Sequence, residues 1–380
     1  MSLRNIGKNI LAIFIGITIS FVLLEGLLRI FQPIEYRVKG NKITLPRDKK
    51  YQIINDKTDK LDKVISISWN HMGFRGEMPS RNFPEYLSII AIGGSTTECT
   101  LISDGKTWCD ILANKLKSRF SPVWLNNGGL NGATTFGHII FMEDYLVKIR
   151  PKVILFLDGA NDIGLMAPWE YEQQHFKKPL TGWLASGWEK LIDESEVLGY
   201  ALNFYRYSKA KRMGLTHPIL NFPHLKHVEI PPEKEQASLR EHQEKYLKAY
   251  AQRLNRLIEL CRDNGIEPVF ITQPTVFGDL IDPATGTDLA KAESWGWNGK
   301  VLWEILELYN DVVRTSAAQH HVYMIDLAKE MPKNTKYYYD TYHFTNAGCQ
   351  RVAEIIDKHL EPFLAEKYPQ YTVKNLASTH

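Results

Sequence analysis

The sequence predicts an α/β fold, a three-layer α/β/α sandwich with a parallel central sheet, preceded by an N-terminal transmembrane helix. Five short apolar runs without polar alternation are bounded by turn residues, which is typical of parallel strands covered on both faces. Segments with helical spacing of apolar residues separate these runs, and this alternation favours right-handed βαβ crossovers. A long uncharged stretch near the N-terminus precedes all of them.

That uncharged stretch covers residues 9–24, and its apolar character continues to Phe31. At about 1.5 Å per residue it is long enough to cross a bilayer. Glu25 and Arg29 are spaced to pair on one helical face near the membrane edge. Because no small-residue cleavage site follows, we expect residues 1–32 to be a retained single-pass anchor. A cleaved signal peptide and a buried helix of a soluble protein are the alternatives.

The charges on either side of the anchor bear on its orientation in the membrane. Positive charge is greater after the stretch than before it, which by itself would leave the following domain in the cytoplasm. The residues concerned are Arg4 and Lys8 before it, and Arg29, Arg37, Lys39, Lys42 and Arg47 after it. Large domains translocate despite such a bias, so the count is a weak guide.

Residues 33–86 read as an irregular connector, residues 87–365 as the main domain and residues 366–380 as a C-terminal tail. The predicted strands of the domain are Leu87–Ile92, Val123–Leu125, Val153–Leu157, Pro268–Ile271 and Val322–Ile325. The predicted helices are Thr107–Phe120, Phe136–Ile149, Gln243–Asn264, Leu302–Gln319 and Asn346–Leu364, the last with Thr345 as N-cap.

Two stretches are too long for ordinary connections, namely residues 163–240 and 276–297. The first is rich in aromatic residues, among them Trp169, Trp183 and Trp188. Both leave from the carboxyl ends of predicted strands, where ligands bind in such sheets. We therefore expect both to be insertions that could shape a substrate pocket.

Composition excludes some function classes. The 380 residues carry a net charge of +3 with no basic stripe, which argues against a nucleic-acid partner. The four cysteines, Cys99, Cys109, Cys261 and Cys349, form no CxxC pair, which argues against a zinc site. Cys99 and Cys109 could close a small disulfide loop in an exported domain, or could remain free thiols.

Three short motifs follow the first three predicted strands. Gly93-Gly94-Ser95 would turn the backbone sharply and display Ser95 at the sheet edge. Gly132 in Asn131-Gly132 would let a backbone N–H approach a bound oxygen closely. Asn161 in Gly159-Ala160-Asn161-Asp162 offers an uncharged amide donor, as an oxyanion hole requires. Taken alone, the motifs of Ser95 and Gly132 are better explained as ordinary turns, and that of Asn161 is explained as well by a turn as by an oxyanion donor.

A fourth motif, Asp340-Thr341-Tyr342-His343, precedes the last predicted helix. A carboxylate three residues before a histidine can accept the Nδ1–H of that ring. This would fix the tautomer and leave Nε2 free to take the proton of Ser95. Together the four motifs predict a serine nucleophile with Asp340 and His343 as its partners, and an oxyanion hole formed by Ser95, Gly132 and Asn161.

These four blocks resemble those of the SGNH (GDSL-like) hydrolase superfamily, named for its Ser, Gly, Asn and His. The pattern matches Ser95, Gly132, Asn161 and His343, with Asp340 at the D-x-x-H position. The resemblance covers roughly residues 87–162 and 322–356 and implies a flavodoxin-like sheet. The first block departs from the family pattern, because Gly94 stands where Asp usually precedes the serine.

The element Asn70-x-x-Gly-Phe-Arg-Gly76 and the N-terminal helix are similar to those of a bacterial membrane-anchored subgroup, whose hydrolase domain is expected outside the cytoplasm. The resemblance implies a serine esterase that forms an acyl-enzyme on Ser95 and needs no cofactor and no metal, and whose substrate is a small-molecule or glycan ester. An O-acetyltransferase or deacetylase of cell-envelope polysaccharide is the first alternative, with Trp169, Trp183, Trp295 and Trp297 as sugar-stacking candidates. An inactive membrane-anchored binding module is the second.

Overall fold

Five parallel strands form the central sheet in the computed structural model, which describes residues 3–31, 38–39, 42–80, 82–168, 194–212 and 218–373. We number the strands in chain order, so that the sheet comprises β5 (Leu87–Gly93), β6 (Val123–Asn127), β7 (Val153–Asp158), β8 (Glu267–Thr272) and β11 (Tyr323–Ile325). Their spatial order is β11-β8-β7-β5-β6 with every neighbouring pair parallel. This is the flavodoxin-like order, and it confirms the predicted α/β fold.

The order of the strands reverses between β5 and β7, both of which pair along their lengths. In open parallel sheets such a switch point leaves a crevice beyond the carboxyl ends of the strands. The motifs that contain Ser95 and Asn161 follow these two strands directly. The topology therefore brings two of the predicted site segments to one place.

Helices cover both faces of the sheet. One face carries α3 (Trp108–Lys117) and α11 (Asn346–Lys367), which pack on each other. The other face carries α4 (Thr135–Phe141), α8 (Leu247–Asp263) and α9 (Gly299–Gln319). Leu112 and Ile356 on the first face, and Leu254 and Leu257 on the second, are fully buried. Such burial of both sheet faces explains why the strands lack polar alternation.

Short helices complete the domain. They are α2 (Ser95–Glu98), α5 (Val147–Ile149) and α10 (Leu327–Glu330), with a π-helical turn at Met142–Leu146 between α4 and α5. Thr107 caps α3 and Thr345 caps α11 through their side-chain oxygens. Both caps are placed where a helix start was predicted from the sequence.

Backbone contacts divide the chain into two units, residues 1–46 with 169–216 and residues 47–168 with 217–380. In the first unit, α1 (Leu3–Phe31) packs on α6 (Glu196–Arg212), and a small ribbon pairs β1 (Val38–Lys39) with β2 (Lys42–Ile43). Residues Ile6–Phe31 are long and apolar enough to cross a membrane, and a signal sequence near the N-terminus has the same properties.

The expected irregular connector contains a regular hairpin that we did not predict. Strands β3 (Lys49–Ile54) and β4 (Val64–Trp69) pair antiparallel over six residues each. Ile65, Ile67 and Trp69 are buried on one face, which is the alternation of a half-exposed strand. The sequence Val-Ile-Ser-Ile-Ser-Trp carried this signal, but the lysine-rich flanks obscured it.

The C-terminal part of the main domain continues beyond residue 365. Helix α11 extends to Lys367, beyond the predicted start of the tail. The backbone then returns to the end of α3, where Ser121 N–H donates to Tyr371 O and Val373 N–H donates to Arg119 O. The tail is therefore partly built into the domain.

Within the long insertion, α7 (Pro232–Lys245) precedes α8, while Trp169, Trp183 and Trp188 lie outside the described residues. The second insertion contains a hairpin of β9 (Glu293–Ser294) and β10 (Trp297–Asn298). All four cysteines are buried free thiols. Cys99 and Cys109 therefore form no disulfide with each other. The sulfur of Cys99 lies 3.9 Å from that of Cys349.

Candidate active site

Ser95 is the first residue of α2, which follows β5 after a sharp turn at Gly93 and Gly94. A Cβ at Gly93 would lie 2.2 Å from Thr97 Oγ1 and 2.7 Å from Leu157 O. Only glycine therefore allows the strand to pass so close to the helix that follows it. Ser95 itself is 8% exposed, and its N–H belongs to the first helical turn, where backbone donors have no intrahelical partner.

His343 and Asp340 complete a chain of hydrogen bonds that ends on Ser95. The ring nitrogen Nε2 of His343 lies 2.7 Å from Ser95 Oγ, and Nδ1 lies 2.6 Å from Asp340 Oδ2. The other carboxylate oxygen of Asp340 accepts the N–H groups of Tyr342 and His343, at 2.9 and 2.8 Å. The Asp340 carboxylate thus bonds both to the backbone of its own loop and to the His343 ring, and it holds the imidazole in one orientation.

The environment of Asp340 favours its charged form. Burial by itself would raise the pKa of this carboxyl, but the His343 ring and the hydrogen bonds from His343 and Tyr342 lower the pKa below its ordinary value. Tyr339 stacks on the His343 ring, with 5.5 Å between ring centroids and 11° between planes. A carboxylate and a fixed aromatic face therefore constrain the histidine from two sides.

Asn161 lies against the turn that precedes Ser95. A Cβ at Gly94 would be 2.2 Å from Asn161 Nδ2, so the amide occupies that space. One hydrogen of this NH₂ group is donated to Ala133 O at 2.8 Å, and the group carries a second hydrogen. Gly132 adjoins Ala133 and has a φ of +72°, in the left-handed region. The loop that carries it is fastened to the turn that precedes Ser95, because Leu130 N–H donates to Gly93 O.

The predicted residues therefore come together to different degrees. Hydrogen bonds join Ser95, His343 and Asp340 directly. Asn161 contacts the turn before Ser95. Gly132 precedes Ala133, whose carbonyl accepts a hydrogen bond from Asn161. The open space beside Gly132, where a Cβ would meet nothing within 4 Å, leaves its backbone accessible.

A buried ion pair that we did not predict, Asp162 with Arg253, holds the turn that contains Asn161. Asp162 accepts hydrogen bonds from the Thr135 hydroxyl at 2.6 Å and from Arg253 Nη2 at 3.1 Å. Arg253 Nε in turn donates to the Thr135 hydroxyl at 2.6 Å. Asp162 and Arg253 are both buried, so the carboxylate fixes the Asn161 turn to α4 and α8. The position of Asp162 next to Asn161 was the sole sequence signal, since Arg253 is 91 residues away.

A second buried pair lies on the same side of the sheet. His138 Nδ1 is 2.7 Å from Asp158 Oδ1, and both side chains are 1% exposed. Burial would lower the pKa of His138, but Asp158 raises it above its ordinary value, with a further contribution from the Gly93 backbone. This pair connects α4 to the end of β7, directly before the turn that carries Asn161.

Acidic residues, histidines and cysteines do not gather in groups of three or more that could hold a metal ion anywhere in the described residues. The site comprises a hydroxyl, an imidazole and a carboxylate in series, with the Asn161 amide against the turn that precedes the hydroxyl. Such a set can transfer an acyl group from an ester.

The model of the GDSL-like Lipase/Acylhydrolase family matches residues 91–351, more than half of the chain. No curated protein matches the sequence. Among solved structures, a catalytic mutant of an acetylxylan esterase from Geobacillus stearothermophilus is similar, with 12% identity and a TM-score of 0.40 over 72% of this chain and 93% of that one.

Two further structures show similarity of the same size. An α/β hydrolase from the metagenome of Lake Arreo, Spain, has 15% identity and a TM-score of 0.40, covering 74% of this chain and 94% of that one. A member of the lipolytic G-D-S-L family from Veillonella parvula has 15% identity and a TM-score of 0.37, covering 72% and 97%. Similarities this distant say nothing about the substrate of this chain.

The sheet order and the clustered Ser, Asn, His and Asp side chains define an α/β protein with a site at its switch point. The chain belongs to the GDSL-like lipase/acylhydrolase family. It is accordingly an ester-hydrolysing enzyme.

Proposed function

We propose that the enzyme hydrolyses a carboxylic ester through an acyl-enzyme on Ser95. The observation that carries this proposal is the hydrogen-bonded series from Asp340 through His343 to Ser95, at 2.6 and 2.7 Å. His343 takes the Ser95 proton as the oxygen attacks the carbonyl carbon, and gives that proton to the departing alcohol. Water then attacks the acyl-enzyme, loses a proton to His343, and releases the acid and free Ser95.

Negative charge develops on the carbonyl oxygen in both steps. We assign its stabilisation to the Ser95 N–H, the Gly132 N–H and the second N–H of Asn161. Fixed neutral donors suit this purpose, since they need no reorganisation when the charge appears. The positions of Asn161 against Gly94 and of Ser95 at the start of α2 support the assignment.

A fluorophosphonate probe tests the nucleophile. We expect stoichiometric labelling of the full-length protein, with the added mass on the peptide that contains Ser95. Ser95→Ala should abolish labelling and reduce hydrolysis of p-nitrophenyl acetate about 10⁴-fold or more. Ser316→Ala, which changes a buried serine of α9, is the matched control and should label normally. No labelling of folded wild-type protein would indicate an inactive binding module instead.

One observation favours a carbohydrate ester as the substrate. Trp295 is 55% exposed and stacks on Tyr342, the residue before His343, with 5.9 Å between ring centroids. Its φ of +50° is unusual for a bulky residue and forms a tight hairpin turn with Gly296, whose φ is +79°. An exposed aromatic face beside the histidine could stack on a sugar ring. A deacetylase or O-acetyltransferase of polysaccharide is therefore the second candidate.

A comparison of activity on two substrates separates the two candidates. Acetate release from acetylated xylan and from p-nitrophenyl acetate should be compared for wild type and Trp295→Ala. A sugar-stacking role predicts that the variant loses activity on the glycan alone. Transfer of labelled acetyl groups to a glycan acceptor, measured beside hydrolysis, identifies a transferase.

We also propose that α1 is a retained membrane anchor. Its Glu25 carboxylate accepts hydrogen bonds from the Ser195 hydroxyl and from the N–H groups of Glu196 and Val197 at the start of α6, at 2.9–3.1 Å. Arg29 bridges Glu25 and the Glu194 carbonyl. A cleaved leader would leave the first turn of α6 without these acceptors. An intact mass that includes residues 1–32, in protein extracted from membranes, is the expected result.

For the hydrolase unit, we propose an extracytoplasmic position, on the resemblance to the membrane-anchored subgroup. Protease treatment of spheroplasts tests this position. Digestion of the main domain in intact spheroplasts is expected, and protection there with digestion after lysis would place the domain in the cytoplasm.

A further inference from the structure

The Asn70–Gly76 element occurs outside the four blocks of the family, and its arginine is almost entirely buried. Arg75 is 1% exposed, which is rare for a guanidinium unless it is paired. Its Nη1 donates to the carbonyls of Glu98 and Cys99, at 2.7 and 2.8 Å. Its Nη2 donates to the Ile102 carbonyl and to the Asp104 carboxylate, each at 2.8 Å.

Two of these carbonyls lie at the end of the helix that begins with Ser95. Helix α2 has a single turn, and Cys99 ends it in the left-handed region with a φ of 57°. So short a helix has little stability of its own, because no further turn follows to supply N–H donors to its carbonyls. A guanidinium supplies these carbonyls with donors and places positive charge at the helix C-terminus, where it is favourable.

Two further carbonyls of α2 also accept hydrogen bonds from groups outside the helix. The Thr96 carbonyl accepts from the Trp108 indole at 3.1 Å, and the Thr97 carbonyl accepts from Asn127 Nδ2 at 2.6 Å. Asn127 in turn exchanges two backbone hydrogen bonds with Arg75, both at 2.9 Å. Arg75 therefore fixes α2 directly through its side chain and indirectly through Asn127.

The rest of the element explains how a charged residue reaches this position. Asn70 accepts the N–H groups of Met72 and Phe74 and donates to the Gly76 carbonyl, which closes the turn. Gly76 has a φ of +130°, and a Cβ there would lie 2.7 Å from Asn126 Nδ2. The glycine thus lets the turn pack against β6 and point Arg75 beneath α2.

We propose that Arg75 is a positioning residue, which holds α2 so that Ser95 Oγ stays within hydrogen-bonding distance of His343 Nε2. The inference rests on the proposed role of Ser95 as nucleophile. Because the histidine is fixed independently by Asp340, movement of α2 would lengthen the Ser95–His343 contact and slow the attack. Substrate binding would be little affected.

Arg75→Lys is the decisive variant, since it keeps the charge but cannot reproduce the planar fork of donors. We expect its rate of fluorophosphonate labelling and its kcat to fall about 10- to 100-fold, because small misplacement of a reacting group is costly. The KM for p-nitrophenyl acetate should stay within about twofold, which a role in substrate binding would not allow.

Arg314→Lys is the matched control. Arg314 is also largely buried and bonded to carboxylates, among them Asp326, but it lies on α9 beside the edge strand β11. We expect this variant to lose thermal stability while each folded molecule labels at the wild-type rate. A wild-type labelling rate in folded Arg75→Lys would overturn the proposal.

Asp104→Ala gives a second measurement if Arg75→Lys does not fold. Asp104 is partly exposed, and its removal leaves the buried guanidinium without its carboxylate. We expect labelling to slow about threefold as the arginine shifts away from the carbonyls, and an unchanged rate would overturn the proposal. Wild-type protein that fails to label would refute the proposed nucleophile instead, so the two failures are distinguishable.

Discussion

The amide of Asn161 occupies the space that a side chain at position 94 would need, since a Cβ on Gly94 would lie 2.2 Å from Asn161 Nδ2. Any side chain at position 94 therefore requires the Asn161 amide to move. The same contact makes Gly94 a sensitive point of the candidate oxyanion hole.

Gly94→Ala should therefore act through Asn161. The added methyl group would push the amide away from the oxyanion position, and we expect kcat for p-nitrophenyl acetate to fall about 10²-fold. The double variant Gly94→Ala with Asn161→Ala should be no slower than Asn161→Ala alone, because the displaced donor is already gone. Additive losses would show that the alanine acts on Ser95 rather than on Asn161.

Asn161→Ala removes a proposed oxyanion donor. We expect kcat to fall about 10²- to 10³-fold with little change in KM, because the donor acts on charge that develops in the transition state. Asn264→Ala, at the end of α8, removes an amide that donates to Leu260 O one helical turn earlier, and it is a suitable control. An unchanged rate for Asn161→Ala would exclude it from the hole.

The sequence predicts the local parts of the candidate site. Ser95, Asn161 and the Asp340–His343 pair lie at strand ends or on one loop, and the parallel sheet brings strand ends together. The partners that fix these residues are distant in sequence, as with Arg253 on α8 and Asp162 after β7. Helical periodicity marks Arg253 only as one more polar residue among apolar neighbours, so its burial could not be read from the pattern.

Arg75 is an intermediate case. The sequence contains the turn-forming residues Asn70, Gly73 and Gly76, and the element resembles one in a bacterial subgroup. Nothing local indicated that the arginine would be buried against carbonyls some 25 residues later. The hairpin of β3 and β4 differs from both, because the alternation of β4 is present in the sequence itself.

Asp340→Asn tests the orienting carboxylate. The amide would donate to His343 Nδ1 and favour the wrong tautomer, so we expect kcat to fall about 10⁴-fold while the fold is kept. The wild-type carboxyl has a lowered pKa, so its charged form stabilises the folded state above the unfolded pKa of about 3.9. This contribution is lost as pH falls through the lower folded pKa.

Thermal unfolding therefore provides a second readout at this position. The difference in Tm between wild type and Asp340→Asn should be present above about pH 5 and should shrink below about pH 4. Circular dichroism over this range measures it. A difference that grows toward acid pH would contradict a carboxylate held in its charged form by His343.

His138→Gln should reveal the buried pair with Asp158 by the opposite pH dependence. Because the folded pKa of His138 is raised, its charged form stabilises the protein fully below the unfolded pKa of about 6.5, and this contribution is lost as pH rises through the folded pKa. Loss of one member of a buried pair costs on the order of 3 kcal/mol, equivalent to a Tm lower by about 8 °C at pH 6. We expect a smaller difference at pH 9. An equal loss at both values would mean that His138 is neutral in the fold, and that packing rather than charge holds α4 to the end of β7.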